Sequence, residues 1–277
     1  MPYLDLDGER MFYTVHGTSA PPNLLFVHGW GGEGSQWLEV IQLLGEHHRL
    51  TGRMIVPDLR GHGASRCPRP APGDADATRD AERFHPRRYA GDLAALVAEL
   101  DLAPVIAVGH SMGGQIVTAL AVEHPRLVAS LVVLDPAYGA DDEEMSGLPI
   151  EQAALLSEGS AWAARATVGA FSSRAPGWVR EREVRQVSSM DPHVLAAARH
   201  GLYLAPDSFG ERGASAEYLS RCQAPTLGIY SNAAAADWHR AHAMRGPASE
   251  VAVVPDSGHF PHLEQPRRVA QLLAGWC

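Results

Sequence analysis

The sequence predicts an α/β protein: a mostly parallel sheet of eight strands, flanked by helices and interrupted by one helical insertion. Short apolar, β-rich runs alternate with helical patterns along most of the chain, which is typical of a parallel sheet covered by helices. Residues 137–222 depart from this alternation, since they carry helical patterns with Gly and Pro breaks and no convincing strand. We therefore expect a core domain of residues 1–136 and 223–277, with an inserted helical cap of residues 137–222.

Each strand is predicted from an apolar or β-branched run bounded by turn residues. The first two runs flank Asp7-Gly8, which is a hairpin signal. In chain order, the predicted strands are Tyr3–Asp5, Arg10–Val15, Leu24–Val27, Met54–Val56, Val105–Val108, Leu131–Leu134, Thr226–Tyr230 and Val251–Val254.

The predicted helices follow from apolar residues at helical spacing. They are a segment containing Trp37, Ile41 and Leu44, then Tyr89–Leu100, Gly113–Glu123 and Arg268–Trp276. Residues 66–87 are rich in Pro, Asp and Arg, so they are expected to form a long surface loop.

The charge balance excludes several classes of function. The chain has 23 basic residues, all of them arginine, against 32 acidic ones, for a formal net charge of −9. Without lysine there is no Schiff-base chemistry. An acidic chain without basic runs also argues against a nucleic-acid partner or an anionic membrane surface.

The lack of a signal peptide, of a membrane-spanning run and of clustered cysteine or histidine residues predicts the cellular compartment and the metal content. Residues 1–10 have no apolar signal-peptide core, and no window approaches the roughly 20 apolar residues that span a bilayer. Cys67, Cys222 and Cys277 are far apart without a CxxC pair, and the histidines are scattered. We expect a reduced cytoplasmic protein with no membrane contact, no metal site and no cofactor.

The strongest chemical motif is G-x-S-x-G, formed by Gly109, Ser111 and Gly113 between a predicted strand and a predicted helix. A serine there lies on a tight turn beside a helix N-terminus, whose dipole favours a developing oxyanion. The glycines are needed because a Cβ would clash with the crowded backbone. Ser111 is therefore the candidate nucleophile.

Three further runs follow predicted strands. They are His28-Gly-Trp-Gly-Gly32, Asp58-Leu-Arg-Gly-His-Gly-Ala-Ser65, and Gly258-His259 after the last strand. With the serine motif, these residues resemble the α/β-hydrolase superfamily, specifically its cap-bearing serine hydrolase branch, in the esterase and lactonase group. The resemblance spans nearly the whole chain, apart from the loop at residues 66–87 and the insertion, and implies an α/β-hydrolase fold.

The resemblance also implies roles for individual residues. Ser111 would be the nucleophile and His259 the base that takes its proton. The backbone N–H groups of Met112 and Trp30 would form the oxyanion hole. The histidines at positions 28, 62 and 110 are expected to brace the surrounding loops through hydrogen bonds.

The resemblance also implies an acidic residue that would complete a catalytic triad with Ser111 and His259, but its position departs from the family pattern. The family usually places it after the penultimate strand, but the expected position, near Ala234, carries no carboxylate. Asp135, which ends the strand beside the nucleophile strand, is the favoured candidate. Asp237 is the alternative, and its competing interpretation is an N-cap of a helix from Trp238.

A serine nucleophile predicts acyl chemistry on a small-molecule ester or lactone of modest, apolar or aromatic character. The pocket candidates are Trp162, Trp178 and Tyr138. Thioester cleavage and hydrolytic C–C cleavage remain as enzymatic alternatives. A catalytically impaired ligand-binding member of the fold is the non-enzymatic one.

Overall fold

The computed structural model describes residues 2–6, 8–65, 67, 80, 82–244 and 248–277. Eight strands among these residues form one sheet in the order β1-β2-β4-β3-β5-β6-β7-β8. The pairs β1–β2 and β2–β4 are antiparallel, and every other neighbouring pair is parallel. The predicted α/β-hydrolase fold is therefore confirmed, although Asp7 of the predicted hairpin turn lies outside the described residues.

The strand bounds lie close to the predicted ones. The strands are β1 Tyr3–Leu6, β2 Glu9–His16, β3 Asn23–Val27, β4 Met54–Pro57, β5 Val105–His110, β6 Val128–Leu134, β7 Thr226–Tyr230 and β8 Glu250–Val253. The helices are α1 Leu38–His48, α2 Pro86–Glu99, α3 Met112–Glu123, α4 Asp142–Glu158, α5 Ser160–Ala170, α6 Gly177–Ser188, α7 Pro192–Tyr203, α8 Arg212–Leu219, α9 Ala233–His242, α10 Pro261–Glu264 and α11 Pro266–Trp276. Short 3₁₀ turns occupy Gly34–Trp37 and Pro125–Leu127.

The alternation of side chains along the central strands builds a separate apolar core on each face of the sheet. Leu25 and Val27 of β3 point to the face covered by α2 and α3, whereas Leu24 and Phe26 point to the face covered by α1 and α11. These four side chains are fully buried, and successive residues of a strand project to opposite faces. The central strands are therefore packed against helices on both faces of the sheet.

Two helix starts differ from the sequence prediction by three residues or more. Helix α2 begins at Pro86, three residues before the predicted start, because the side chain of His85 accepts a hydrogen bond from the N–H of Arg87 and Pro suits a first helical turn. Helix α9 begins at Ala233, where Asn232 caps the N–H of Ala235. The interpretation of Asp237 as a helix cap is therefore wrong. Of the predicted loop, residues 66, 68–79 and 81 lie outside the described part of the chain.

The region between β6 and β7 is helical, as predicted. Residues 137–222, all of them described, contain helices α4–α8. Their one strand-like feature is an isolated parallel bridge between Ala140, near the start of the segment, and Glu211, just before α8. Because β6 and β7 are neighbours in the sheet, the segment leaves and re-enters the sheet at adjacent strands.

Candidate active site

Ser111 lies at the end of β5, on the turn that leads into α3. Its φ of 51° and ψ of −117° are strained for a residue with a side chain. The turn is held because the Ser111 N–H donates to Leu134 O at 2.9 Å and Ser111 O accepts from the Ala137 N–H at 2.9 Å. Leu134 is the last residue of β6 and Ala137 follows it by three residues, so the end of the neighbouring strand and the chain just beyond it fix this conformation.

The glycines of the motif are required by space, as the sequence analysis predicted. A Cβ on Gly109 would lie 2.2 Å from Gly113 O. One on Gly113 would lie 2.4 Å from Val27 O and 2.5 Å from His28 O. Because these neighbours are backbone atoms of α3 and of the end of β3, they cannot move aside to accommodate a side chain.

His259 approaches Ser111 from the loop between β8 and α10. Its Nε2 lies 2.9 Å from Ser111 Oγ, so the hydroxyl can donate to a neutral imidazole. The backbone of His259 is fixed on both sides: its N–H donates to Ala170 O at 2.8 Å, and its carbonyl accepts from His110 Nε2 at 2.6 Å. The geometry is that of a nucleophile paired with a base.

Asp135 occupies the end of β6, next to Ser111, with a φ of 37°. Its Oδ1 accepts a hydrogen bond from the Ser231 N–H at 2.9 Å, and its Oδ2 is buried with no hydrogen-bond partner among the described residues. The loop after β7, where the family usually carries the acid, therefore donates a hydrogen bond to Asp135.

Burial and neighbouring charges have opposite effects on the pKa values of His259 and Asp135. Burial lowers the pKa of His259 below its ordinary value of 6.5, while the negative charges of Asp135 and Glu264 oppose that shift. Burial also raises the pKa of Asp135, and the His259 charge and the hydrogen bond from Ser231 limit the rise. A neutral imidazole at neutral pH is the form that can accept a proton.

The candidate backbone donors near the serine are the N–H groups of Met112 and Trp30. Met112 is the first residue of α3, so its N–H has no acceptor within the helix. The loop that carries Trp30 packs directly on the serine, since a Cβ on Gly29 would lie 3.2 Å from Ser111 Cβ. The Trp30 indole donates to Leu195 O at 2.9 Å, which fixes this loop against α7.

The other motif histidines brace loops, as predicted. His28 Nε2 accepts from the Leu59 N–H at 2.9 Å, and its Nδ1 lies 2.8 Å from Gly29 O. His62 lies 5.1 Å from His28, ring centroid to centroid. Burial lowers the pKa of His28 to about 4 and that of His62 to about 3, so both rings are neutral.

A cavity of about 360 Å³ opens over Ser111, within the range of roughly 300–1,000 Å³ that small-molecule sites occupy. Its walls mix aromatic and charged side chains. Its lining residues are Ser111, Asp135, Pro136, Ala137, Tyr138, Gly139, Ala140, Asp141, Glu144, Tyr203, Arg212, Tyr230, Ser231, Asn232, Ala234, Ala235, Trp238 and His259.

The structure brings together some of the predicted site residues and separates others. Tyr138 lines the cavity, whereas the described lining residues include neither Trp162 nor Trp178. Trp162 packs edge-on against Trp30 at 6.5 Å between ring centroids. Trp178 is 57% exposed, because it projects from α6 toward solvent.

Asp237 does not reach the cavity either. It lies within α9 and pairs with Arg240, with its side chain 73% exposed. Its distance from the site follows from the cap at Asn232, which turns position 237 to the outer surface of the helix.

The sequence motifs did not indicate several lining residues, nor a carboxylate of α10 that binds the histidine loop. Arg212, Glu144 and Trp238 enter the cavity from helices whose approach no local pattern encodes. Glu264 accepts the Gly258 N–H at 3.0 Å. The signal that could have identified Glu264 is its position, five residues after His259 on the short helix α10.

Comparison with known proteins agrees with this architecture. A family model described as the alpha/beta hydrolase family matches residues 24–272. The chain therefore belongs to the alpha/beta hydrolase family.

Similar proteins include lipases, esterases and a lactone-degrading enzyme. Lipase LipV of Mycobacterium tuberculosis is 36% identical over 138 residues, covering 50% of this chain and 44% of the lipase. An esterase of Thermogutta terrifontis is 26% identical, with a TM-score of 0.77 over 99% of this chain and 95% of that one. Est816, described as an N-acyl homoserine lactone degrading enzyme, is 26% identical, with a TM-score of 0.77 over all of both chains.

The matched stretch spans less than half of the length of Lipase LipV. Within the described residues, no helix has both the length and the apolar character needed to cross a membrane.

Proposed function

We propose that this protein is a serine hydrolase that cleaves an ester or lactone of modest size through an acyl-enzyme on Ser111. The observation that carries the proposal is the 2.9 Å approach of His259 Nε2 to Ser111 Oγ on a strained strand-to-helix turn. Strain of this kind persists only where the surrounding structure imposes it, and it concentrates at functional sites.

The chemistry follows from this geometry. Ser111 Oγ attacks the carbonyl carbon while its proton passes to His259 Nε2, and the resulting oxyanion accepts hydrogen bonds from the N–H groups of Met112 and Trp30. The protonated imidazole then gives its proton to the departing alcohol oxygen, which leaves an acyl ester on Ser111. Water, deprotonated by His259, attacks that ester, and collapse of the second tetrahedral intermediate releases the acid and restores the serine.

We assign the acid to Asp135. Its support is burial beside His259, the charge that it exerts on the imidazole, and an Oδ2 atom without another described partner. Asp237, by contrast, is exposed and paired with Arg240.

We also propose that residues 137–222 act as a cap that shapes the substrate site. Asp141, Glu144, Tyr203 and Arg212 all come from this segment, and all line the cavity over Ser111. The aromatic rings suit the expected apolar or aromatic substrate, and the charged side chains add polar groups to the cavity lining.

Labelling with a fluorophosphonate tests the nucleophile. We expect one adduct, on Ser111, that is absent in Ser111→Ala and in acid-denatured protein. A folded wild type without an adduct would contradict the proposal.

A panel of p-nitrophenyl esters and lactones of increasing acyl length, including an N-acyl homoserine lactone because of the likeness to Est816, tests the substrate class. Ser111→Ala is the matched control. We expect activity to fall once the acyl chain exceeds what a cavity of about 360 Å³ accommodates.

Asp135→Asn and Asp237→Asn, measured on the best substrate, test the acid. We expect a large loss of kcat in the first variant and wild-type activity in the second. The reverse result would reassign the acid to Asp237.

A further inference from the structure

The loop that carries His259 is held by the inserted segment as well as by the sheet. The backbone N–H of His259 donates a hydrogen bond to Ala170 O, at the end of α5. Next to it, a Cβ on Gly258 would lie 2.4 Å from Ser172 N, so the two backbones are in direct contact. The position of the base therefore depends on the junction between α5 and α6, which belongs to the insertion.

The carboxylate of Glu264 bridges the two segments. Its Oε1 accepts the Gly258 N–H at 3.0 Å, and its Oε2 accepts the Ser172 hydroxyl at 2.5 Å. The Ser172 N–H also points to the same carboxylate, at 3.3 Å. Hydrogen bonds to an ionised acceptor are about twice as strong as neutral ones, so this carboxylate can hold both segments.

Apolar contacts reinforce the bridge. Phe171 stacks on Phe260, with ring centroids 4.5 Å apart and an interplanar angle of 20°. Ala175, Val179 and Leu263 complete a small cluster that is separate from the two main cores. The junction and the histidine loop are thus packed together, and the His259 ring lies edge-on to Phe260, with ring centroids 5.4 Å apart.

We propose that Glu264 is a positioning residue for His259: with Ser172, it couples the inserted segment to the base of the reaction. This inference rests on the proposed function and extends it, because it makes the insertion part of the catalytic geometry as well as the wall of the substrate cavity. Glu264 acts through the histidine loop and does not contact Ser111 in the described structure.

The electrostatic surroundings of His259 make the proposal measurable. The groups that face the imidazole are Asp135 from the end of β6, His110 from the end of β5, and His262 and Glu264 from α10. Burial lowers the pKa of His110 and of His262, so both are neutral near neutral pH. Asp135 and Glu264 are therefore the two charges that favour protonated His259.

The experiment is steady-state hydrolysis by Glu264→Gln from pH 5 to pH 9 with the best ester. The amide keeps the size of the side chain and one acceptor but removes the charge. We expect kcat to fall about tenfold with KM within about twofold, as for a lost bond to a charged group. The acid limb of kcat/KM should also move to lower pH, because removing a negative charge lowers the pKa of His259. A purely structural role would not move that limb.

Ser172→Ala distinguishes the positioning of His259 from the effect of the Glu264 charge. It removes the hydroxyl bond but keeps the carboxylate, so we expect kcat to fall about threefold with the acid limb unmoved. This variant also decides the question if Glu264→Gln does not fold: a reduced kcat supports the proposal, and wild-type kcat overturns it.

Asp256→Asn is the matched control. Asp256 lies in the same loop and pairs with Arg174 of the same junction, but that ion pair is exposed. We expect wild-type kcat and an unchanged pH profile. If the wild type is active and Glu264→Gln behaves like this control, the inference fails while the proposed function stands. A wild type that is inert and unlabelled overturns both.

Discussion

Replacing His262 with phenylalanine should make the protein less sensitive to acid. His262 is completely buried in α10 and stacks on Trp37, with ring centroids 4.5 Å apart. Neither of its ring nitrogens has a hydrogen-bond partner within the described part of the chain. Phenylalanine keeps the stacked ring and removes the two polar atoms.

The size of the effect follows from the pKa of His262, which burial lowers from 6.5 to about 3. The unfolded chain binds a proton at this position below pH 6.5, whereas the folded chain binds it only near pH 3. Stability is therefore present above pH 6.5 and is lost as the pH falls toward 3. Between pH 7 and pH 5 this one group should cost about 2 kcal/mol in the free energy of unfolding.

Urea unfolding at pH 7 and pH 5, followed by circular dichroism, measures this difference. The free energy of unfolding of the wild type should fall by about 2 kcal/mol more than that of His262→Phe, because the remaining titrating groups are common to both. His47→Gln, which replaces an exposed histidine of α1, should behave like the wild type. If the wild type and His262→Phe lose stability in parallel, to within about 0.5 kcal/mol, the reasoning about buried neutral histidines is refuted.

Three further predictions concern the turn, the ion pairs and the base. Gly113→Ala should abolish fluorophosphonate labelling and lower the Tm, since its Cβ would lie 2.4 Å from a backbone oxygen. Gly91→Ala in α2, where an added Cβ would meet no described atom within 4 Å beyond the adjoining helix backbone and chain neighbours, should raise the free energy of unfolding by about 0.5–1 kcal/mol. Arg60→Gln should cost about 3–5 kcal/mol in chemical unfolding, because its buried guanidinium pairs with two acids. Arg165→Gln, at an exposed pair, should cost less than about 1 kcal/mol. Finally, kcat/KM should be constant through neutral pH and fall below the pKa of His259, which lies under 6.5; an acid limb above pH 7 would contradict a buried neutral base.

The local features of the site were predictable because they depend on short-range geometry. The turn at Ser111 needs small residues on both sides, and that requirement is visible in the spacing of Gly109 and Gly113. The strands were predictable for the same reason, since each buried run is bounded by turn residues. The histidine braces at positions 28 and 110 also follow from their place directly beside a strand end.

The helix starts and the pocket walls were harder to predict. Asn232 and Asp237 are both good caps, and only the path of the chain after β7 decides that Asn232 is used. Trp162 and Trp178 were equally plausible pocket residues, but the packing of α5 and α6 turned one toward Trp30 and the other to solvent.

The sequence by itself determined the α/β fold, the candidate nucleophile and the candidate base, because each is encoded by residues adjacent to a strand. Only the tertiary structure decided what surrounds them. The parallel pairing of β5 with β6 places Asp135 beside Ser111. The fold of the insertion places Ser172 in hydrogen-bond contact with Glu264, 92 positions further along the chain. Contacts between residues so far apart depend on how whole elements pack, and no local pattern records that packing.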